Sequence, residues 1–274
     1  MFRKVAIVGT GLIGGSLALS IKKKRIASEV VGVSRHKKSL AAAKRIGAID
    51  KGSLNLRIIK DADLIILATP VNMILNLAAK ISKISGTDAI ITDVGSTKQE
   101  IVAKLESIFP NFVGSHPLAG SEKRSISNAD SEMFIGSVCI LTPTRKTKRP
   151  ALKRIKRFWN RLGATTIDLS PENHDKILYF TSHLPHIAAF SLIESVLHQY
   201  LEFASGGLKD TTRIAASDRE LWADIFLSNR KNILKGIVVL EKNLANIKSA
   251  LNNKDRKSLI KILKRAKKKR EKLQ

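Results

Sequence analysis

The sequence predicts an α/β protein in two parts: a parallel sheet wound with helices over residues 1–170, then an all-helical domain over residues 171–274. Three observations carry this reading. Short β-branched apolar runs alternate with helical patterns from residue 4 to about residue 110. The first such junction is punctuated by Gly9, Gly11 and Gly14. After Pro171 no alternating strand pattern recurs. At 274 residues the chain also exceeds the ~100 to 150 residues of one typical domain.

The elements follow in order. "KVAIVG" reads as a strand and leads through the glycines into a helix; "EVVGVS" precedes the helical "HKKSLAAAKRIG"; "ADLIILATP" precedes "NMILNLAAKISKI"; and "DAIITDVGS" precedes "KQEIVAKLESIF". Repeated βα units with near-continuous apolar strands indicate a parallel sheet covered on both faces. "NFVGSHPLAG", "SVCILTPT", "ALKRIKRFWNRLG" and "ATTIDLS" are expected to extend the same sheet. Ser170 followed by Pro171 makes a good helix start, a capping side chain before a residue whose missing N–H is harmless there.

Gly9, Gly11 and Gly14 form G-x-G-x-x-G between a strand and a helix. The first glycine allows the tight turn, the second lets a pyrophosphate approach the backbone, and the third brings helix against strand. The helix N-terminus offers its unpaired N–H groups to the phosphates. This predicts a Rossmann-like dinucleotide-binding domain, with Gly9, Thr10, Gly11, Leu12, Ile13 and Gly14 as cofactor contacts. Thr69, Pro70 and Asp93, at the ends of later strands where ligands of such sheets collect, complete the set. At the end of the second strand an NAD site usually carries Asp or Glu; here Ser34 and Arg35 stand there, followed by His36, Lys37 and Lys38. Hydroxyl plus cations suit the 2′-phosphate of NADP, and a basic helix start that takes NAD or NADP is the alternative.

Composition excludes several classes. No run approaches the ~20 apolar residues of a membrane span, and the N-terminal residues enter a strand without a signal-peptide pattern, so a cytoplasmic chain without membrane partners is expected. The single cysteine, Cys139 in "SVCIL", reads as a small buried thiol. A net charge of +26 predicts attraction to anions. With 5% aromatic residues and neither zinc-finger spacing nor an RNP-like motif, no specific nucleic-acid partner follows from it. The basic segment "KDRKSLIKILKRAKKKREKLQ" reads as a terminal helix that packs the stripe of Leu259, Ile260, Leu263 and Ala266 and leaves a solvated charged face; a nucleic-acid or membrane-surface arm is the alternative.

Candidate chemistry lies in "DVGSTK", in "GSHPLAGSE", where His116 is suited to exchange a proton with a substrate hydroxyl, and in "TSHLPHIAAF", where His183 and His186 share a helix face. Those two are core histidines in the bland reading. No Cys or Asp at familiar spacing completes a metal set with them.

Taken together, "GTGLIGGSLA", "ADLIILATP", "DVGSTK", "GSHPLAGSEK", "ILTPT", "SPENHD", "SHLPHIAA" and "GGLKDTTRIAASDRELWADI" run in this order along nearly the whole chain. In them the sequence resembles the prephenate dehydrogenase family, which includes arogenate and cyclohexadienyl dehydrogenases. The resemblance implies oxidative decarboxylation of prephenate to 4-hydroxyphenylpyruvate in tyrosine biosynthesis, with arogenate as the alternative substrate. It implies that His116 is the catalytic base at the ring hydroxyl and that Ser96 orients it. It further implies that His186 and Arg213 bind substrate, that Trp222, Gly206 and Gly207 wall the pocket, and that Glu122 stands at its mouth. The helical domain is implied to bind substrate and to form most of a homodimer. A Rossmann-like binding protein without catalysis is the other alternative; it would need none of His116, Ser96 and Arg213, and all three are present.

Overall fold

The computed structural model describes residues 1–120 and 125–273. The chain divides into two compact units, Met1–Asn229 and Arg230–Gln274.

In the first unit β1 (Phe2–Val8), β2 (Ala27–Val33), β3 (Lys51–Ser53), β4 (Leu64–Leu67), β5 (Ile90–Asp93) and β6 (Phe112–Val113) form one sheet in the order β3-β2-β1-β4-β5-β6. Every pairing in it is parallel. Between the strands run α1 (Leu12–Lys23), α2 (Lys37–Arg45), α3 (Val71–Ser82) and α4 (Gln99–Ile108). Alternate residues serve opposite faces. Val5, Ile7, Leu64 and Ile66 join one apolar cluster, and Ala6, Val8, Ile65 and Leu67 the other. Burial on both faces explains why these strands read as continuous apolar runs. The strand order reverses beside β1 and β4, which opens a crevice at their carboxyl ends.

The expected continuation of the same sheet is realised only by the two residues of β6. β7 (Ser115–Pro117), β8 (Val138–Leu141) and β9 (Thr165–Asp168) form a second sheet of three strands, with β7 antiparallel to β8 and β8 parallel to β9. The chain leaves the first sheet at Gly114 because side chains replace the ladder there. Thr92 Oγ1 donates to the Val113 carbonyl at 2.7 Å and lies 2.7 Å from Ser115 Oγ, and a Cβ on Gly114 would meet Thr142 Oγ1 at 2.3 Å. α5 (Arg149–Leu162) buries Ala151, Ile155, Phe158, Trp159 and Leu162 at helical spacing. It ends at Gly163, whose φ of +94° is a left-handed cap.

No strand follows Asp168 among the described residues. Ser170 caps α6 (Pro171–Leu178) by accepting the Asn173 N–H, as its position predicts. One π-helical turn, Tyr179–His183, leads into α7 (Leu184–Glu194); α8 (Gly206–Thr212) and α9 (Arg219–Ser228) follow. These helices belong to the compact unit of the sheet: Thr97 Oγ1 lies 3.0 Å from Ser228 Oγ, and Asp175 accepts backbone N–H groups from Lys98 and Gln99.

The second unit holds α10 (Arg230–Asn252) and α11 (Arg256–Arg270), the latter capped by Asp255 through the Ser258 N–H. The apolar stripe expected to pack is open: no residue of α11 is buried, and Ile260 and Leu263 are exposed. Among the described residues no helix is long and apolar enough to cross a membrane.

The turn between β1 and α1 depends on close packing. A Cβ on Gly14 would lie 1.9 Å from the Gly9 carbonyl oxygen, whereas one on Gly86 meets nothing within 4 Å. Gly14→Ala is therefore expected to lower stability by about 1 to 3 kcal/mol through overpacking, and Gly86→Ala to leave it nearly unchanged. Calorimetric melting of the two variants checks this; equal melting temperatures would contradict it.

Candidate active site

At the carboxyl ends of β1, β2 and β4 a cavity of about 360 Å³ is lined by Gly9, Thr10, Gly11, Ser34, Arg35, Thr69 and Pro70, among others. Gly9 adopts φ +106°, and a Cβ there would sit 2.4 Å from the Ala68 carbonyl oxygen, so β1 and β4 approach at a point only glycine permits. Gly11 starts α1 without a side-chain cap, leaving the first-turn N–H groups for a ligand. The buried hydroxyls of Thr10 and Thr69 have no hydrogen-bond partner among the described residues. Orphan hydroxyls beside a glycine turn and a helix N-terminus fit a dinucleotide.

A second cavity, about 330 Å³, shares Gly11, Ala68, Thr69 and Pro70 with the first and adds Leu12, Ile13, Ser96 and His116. A third, about 380 Å³, shares Ser96 and His116 with the second and extends to His183, His186, Arg213 and Trp222. The three form one groove with Ser96 and His116 at the junction of its last two chambers.

The groove's geometry is set from beneath. Asp93 ends β5 and is fully buried. Its Oδ2 accepts the Gly95 N–H at 2.8 Å and pairs with the buried Lys98 ammonium, while Oδ1 accepts the Ser115 N–H at 3.2 Å. Gly95 packs closely in this turn, where a Cβ would meet Ile101 Cδ1 at 2.5 Å and Asp93 Oδ2 at 3.0 Å. Lys98 Nζ also donates to the Ser115 carbonyl at 2.8 Å. The loop that carries Ser96 and the strand that carries His116 are thus tied together. Ser115 is buried, and the alternation along β7 turns His116, half-buried, toward the groove.

Behind His116 lies a chain of hydrogen bonds. His116 Nδ1 is 2.8 Å from His174 Nε2, and His174 Nδ1 is 2.8 Å from Asp175 Oδ1. Asp175 also accepts the N–H of Lys98 at 2.7 Å and of Gln99 at 3.0 Å, and Asn229 Nδ2 donates to the Asp175 carbonyl at 2.8 Å. Burial holds His116 well below the ordinary histidine range, with His174, Lys98 and His183 adding to the effect. Burial also raises the Asp175 carboxyl, but the bonds from His174 and from the two N–H groups outweigh it and keep the group low. At the far wall His186 stacks on Trp222, ring centroids 3.4 Å apart, and donates from Nδ1 to the Ser182 carbonyl at 2.9 Å. Its protonation is held down by burial. Arg213, between α8 and α9, supplies a cation beside it.

Most of the residues singled out from the sequence meet in this groove. Asp93 does not: expected at the cofactor, it lies beneath the surface and spends its oxygens on Gly95, Lys98 and Ser115. Gly14 packs on Gly9 and lines none of the cavities. Gly206 and Gly207, expected in the pocket wall, open α8 at the surface and line none either; a Cβ on Gly207 meets nothing within 4 Å. Glu122 lies outside the described residues. Lys98, His174 and Asp175 were missed, although all three stand in "DVGSTK" and "SPENHD". Their signal was a cation and a His-Asp pair beside apolar runs, too common to single out without the fold.

A dinucleotide groove that meets a substrate-sized chamber at a histidine base candidate defines the class, a nicotinamide-dependent dehydrogenase. Comparison with known proteins is in accord. Residues 17–168 match the family described as prephenate dehydrogenase, nucleotide-binding domain, and residues 170–265 the one described as prephenate dehydrogenase, dimerization domain. The prephenate dehydrogenase of Bacillus subtilis is 35% identical over 275 aligned positions, covering 96% of this chain and 74% of its own. The crystal structure of prephenate dehydrogenase from A. aeolicus in complex with hydroxyphenyl propionate and NAD+ superposes with a TM-score of 0.95 at 37% identity, over 100% of this chain and 99% of that one. Synechocystis arogenate dehydrogenase superposes with a TM-score of 0.85 at 28% identity, over 99% and 100%. The chain belongs to the prephenate dehydrogenase family.

The buried histidines make stability depend on pH. His116, His174 and His183 are all held below 6.5, His183 at about 4, in each case chiefly by burial. As pH falls through 6.5 the unfolded chain takes up protons that the folded chain refuses, so the unfolded state binds more and stability declines. Stability is expected to be full above pH 6.5 and to fall from there toward about pH 4, by up to about 1.4 kcal/mol per pH unit for each histidine. Urea midpoints at successive pH values check the slope; a flat profile would contradict it.

Proposed function

We propose that this protein catalyses the NAD(P)-dependent oxidative decarboxylation of prephenate to 4-hydroxyphenylpyruvate. The observation that carries the reading is the position of His116, shared by the chamber next to the glycine turn and the chamber holding His186 and Arg213. A bound nicotinamide supplies the hydride acceptor for the ring carbon that bears the hydroxyl. His116, neutral through burial, takes the hydroxyl proton at Nε2, since its Nδ1 is engaged with His174. Ser96 lies at the same junction and orients the hydroxyl. Arg213 meets the side-chain carboxylate with its planar donor fork. The stacked rings of His186 and Trp222 bound the far end. Carbon dioxide leaves as the ring becomes aromatic, and the proton held on His116 is available to the phenolate.

Arogenate is the second reading, favoured by the likeness to the Synechocystis enzyme; it differs only at the side chain, an amino acid in place of a keto acid. In this scheme residues 1–170 hold the dinucleotide and residues 171–274 supply the substrate wall and a homodimer interface. Leu192, Leu197, Phe203, Val238 and Leu244 are apolar and exposed, as such an interface requires.

For the cofactor, Arg35, His36 and Lys80 line the chamber at the end of β2, and no carboxylate does among the described residues. This favours NADP, with charge-assisted bonds to its 2′-phosphate adding about one to two decades in affinity over NAD. The NAD+ complex of the A. aeolicus protein supports NAD as the alternative.

Two outcomes are expected. Purified protein offered prephenate or arogenate with each cofactor should reduce NADP fastest with prephenate, and Ser34→Asp should reverse the ratio of dissociation constants toward NAD; a wild type that prefers NAD would sink the cofactor assignment. His116→Asn should leave cofactor binding nearly intact and cut turnover by about 10² to 10⁴. Full turnover in that variant would remove His116 as the base.

A further inference from the structure

Resting on the reading of His116 as the base, we propose that His174, held by Asp175, is a positioning residue that sets the tautomer of His116 and so keeps its Nε2 open to take the substrate proton.

The hydrogen bonds have one consistent direction. The Asp175 carboxylate already accepts the Lys98 and Gln99 N–H groups and has no proton to give. His174 Nδ1, 2.8 Å from Oδ1, must therefore be the donor. A neutral imidazole with its proton on Nδ1 carries a lone pair on Nε2. His174 Nε2 is thus the acceptor in the 2.8 Å contact with His116, and His116 Nδ1 is the donor. By the same rule the lone pair of His116 falls on Nε2. The opposite polarity would need a doubly protonated His174. The groups facing it are Asp175, Asp93 and Lys98; burial and the Lys98 ammonium outweigh the two carboxylates and hold its protonation down. Among the described residues His116 is faced by His174, Lys98 and His183, and none of these supplies an acceptor-only group to favour the other tautomer.

His174 and Asp175 are buried and line neither chamber, so they act through His116 rather than on a ligand. When His116 takes a proton its cationic ring still donates to His174, which spreads the new charge toward Asp175. An aspartate behind an imidazole does the same in hydrolase triads, where the wrong tautomer is costly; here a second imidazole stands between the two.

The test uses the full chain and three variants. His174→Phe keeps a planar ring and removes both nitrogens; His174→Gln keeps a carbonyl able to accept from His116. His174→Phe is expected to lower kcat about 10²-fold while the cofactor dissociation constant and the KM for prephenate stay within about twofold, and His174→Gln should regain most of the loss. In ¹⁵N-histidine spectra of the wild type, His116 should carry its proton on Nδ1, and in His174→Phe a fraction should move to Nε2. His174→Phe with wild-type kcat, or wild-type spectra with the proton of His116 on Nε2, would overturn the proposal. The spectra decide it even where His174→Phe does not fold. The third variant, His116→Asn, separates the two readings: full turnover there defeats the assignment of the base, whereas the tautomer measurement bears on His174 alone.

Discussion

The fully buried pair of Asp93 and Lys98 is the contact on which the candidate site depends. Through it three stretches distant in sequence are joined: the loop after β5 that carries Ser96, the strand β7 that carries His116, and helix α6, whose Asp175 accepts the Lys98 and Gln99 N–H groups. Two charges taken out of water are tolerated only where hydrogen bonds satisfy both, and removing one partner of such a pair costs about 3 to 5 kcal/mol. Here Asp93 is also bonded to Gly95 and Ser115, and Lys98 to the Ser115 carbonyl. The demand for complete satisfaction leaves these segments little freedom, which is what a site needing sub-ångström placement requires.

From that anchor the architecture divides the work. The parallel sheet provides the crevice at its strand ends, the small mixed sheet presents His116 from β7, and α7 and α9 close the chamber with His186 against Trp222. Basic residues stand at both ends of the groove, Arg35 and Lys80 at one and Arg213 at the other. This local placement, more than the net charge of +26, is what offers cations to anionic groups at the two ends of the groove. Burial depresses three histidines in one polar interior and keeps His116 neutral at rest.

Much of the groove could be read before any coordinates because its parts are local. A glycine turn between strand and helix, a Ser-Arg step at the end of β2, and "GSHP" after a loop each announce themselves within a few residues, and the structure brings Gly9, Gly11, Ser34, Arg35, Ser96, His116, His186, Arg213 and Trp222 to its cavities. Three other residues lie away from the places expected of them. Asp93 stands where a ligand contact belongs by position, yet its carboxylate turns inward; Gly206 and Gly207 sit beside a functional motif and yet face outward.

The sequence by itself determined the period of each element, the conformational needs of the first turn, the capped start of α6 and the chemistry available at each strand end, because these follow from contacts within a few residues of the chain. Only the tertiary structure decided that β7, β8 and β9 leave the first sheet, that Lys98 is buried beside Asp93, and that His174 comes to stand behind His116, 58 positions away in the chain. Those outcomes depend on which buried polar groups can find partners once the segments meet, and that competition is settled by desolvation across the whole fold and not by any stretch of residues alone.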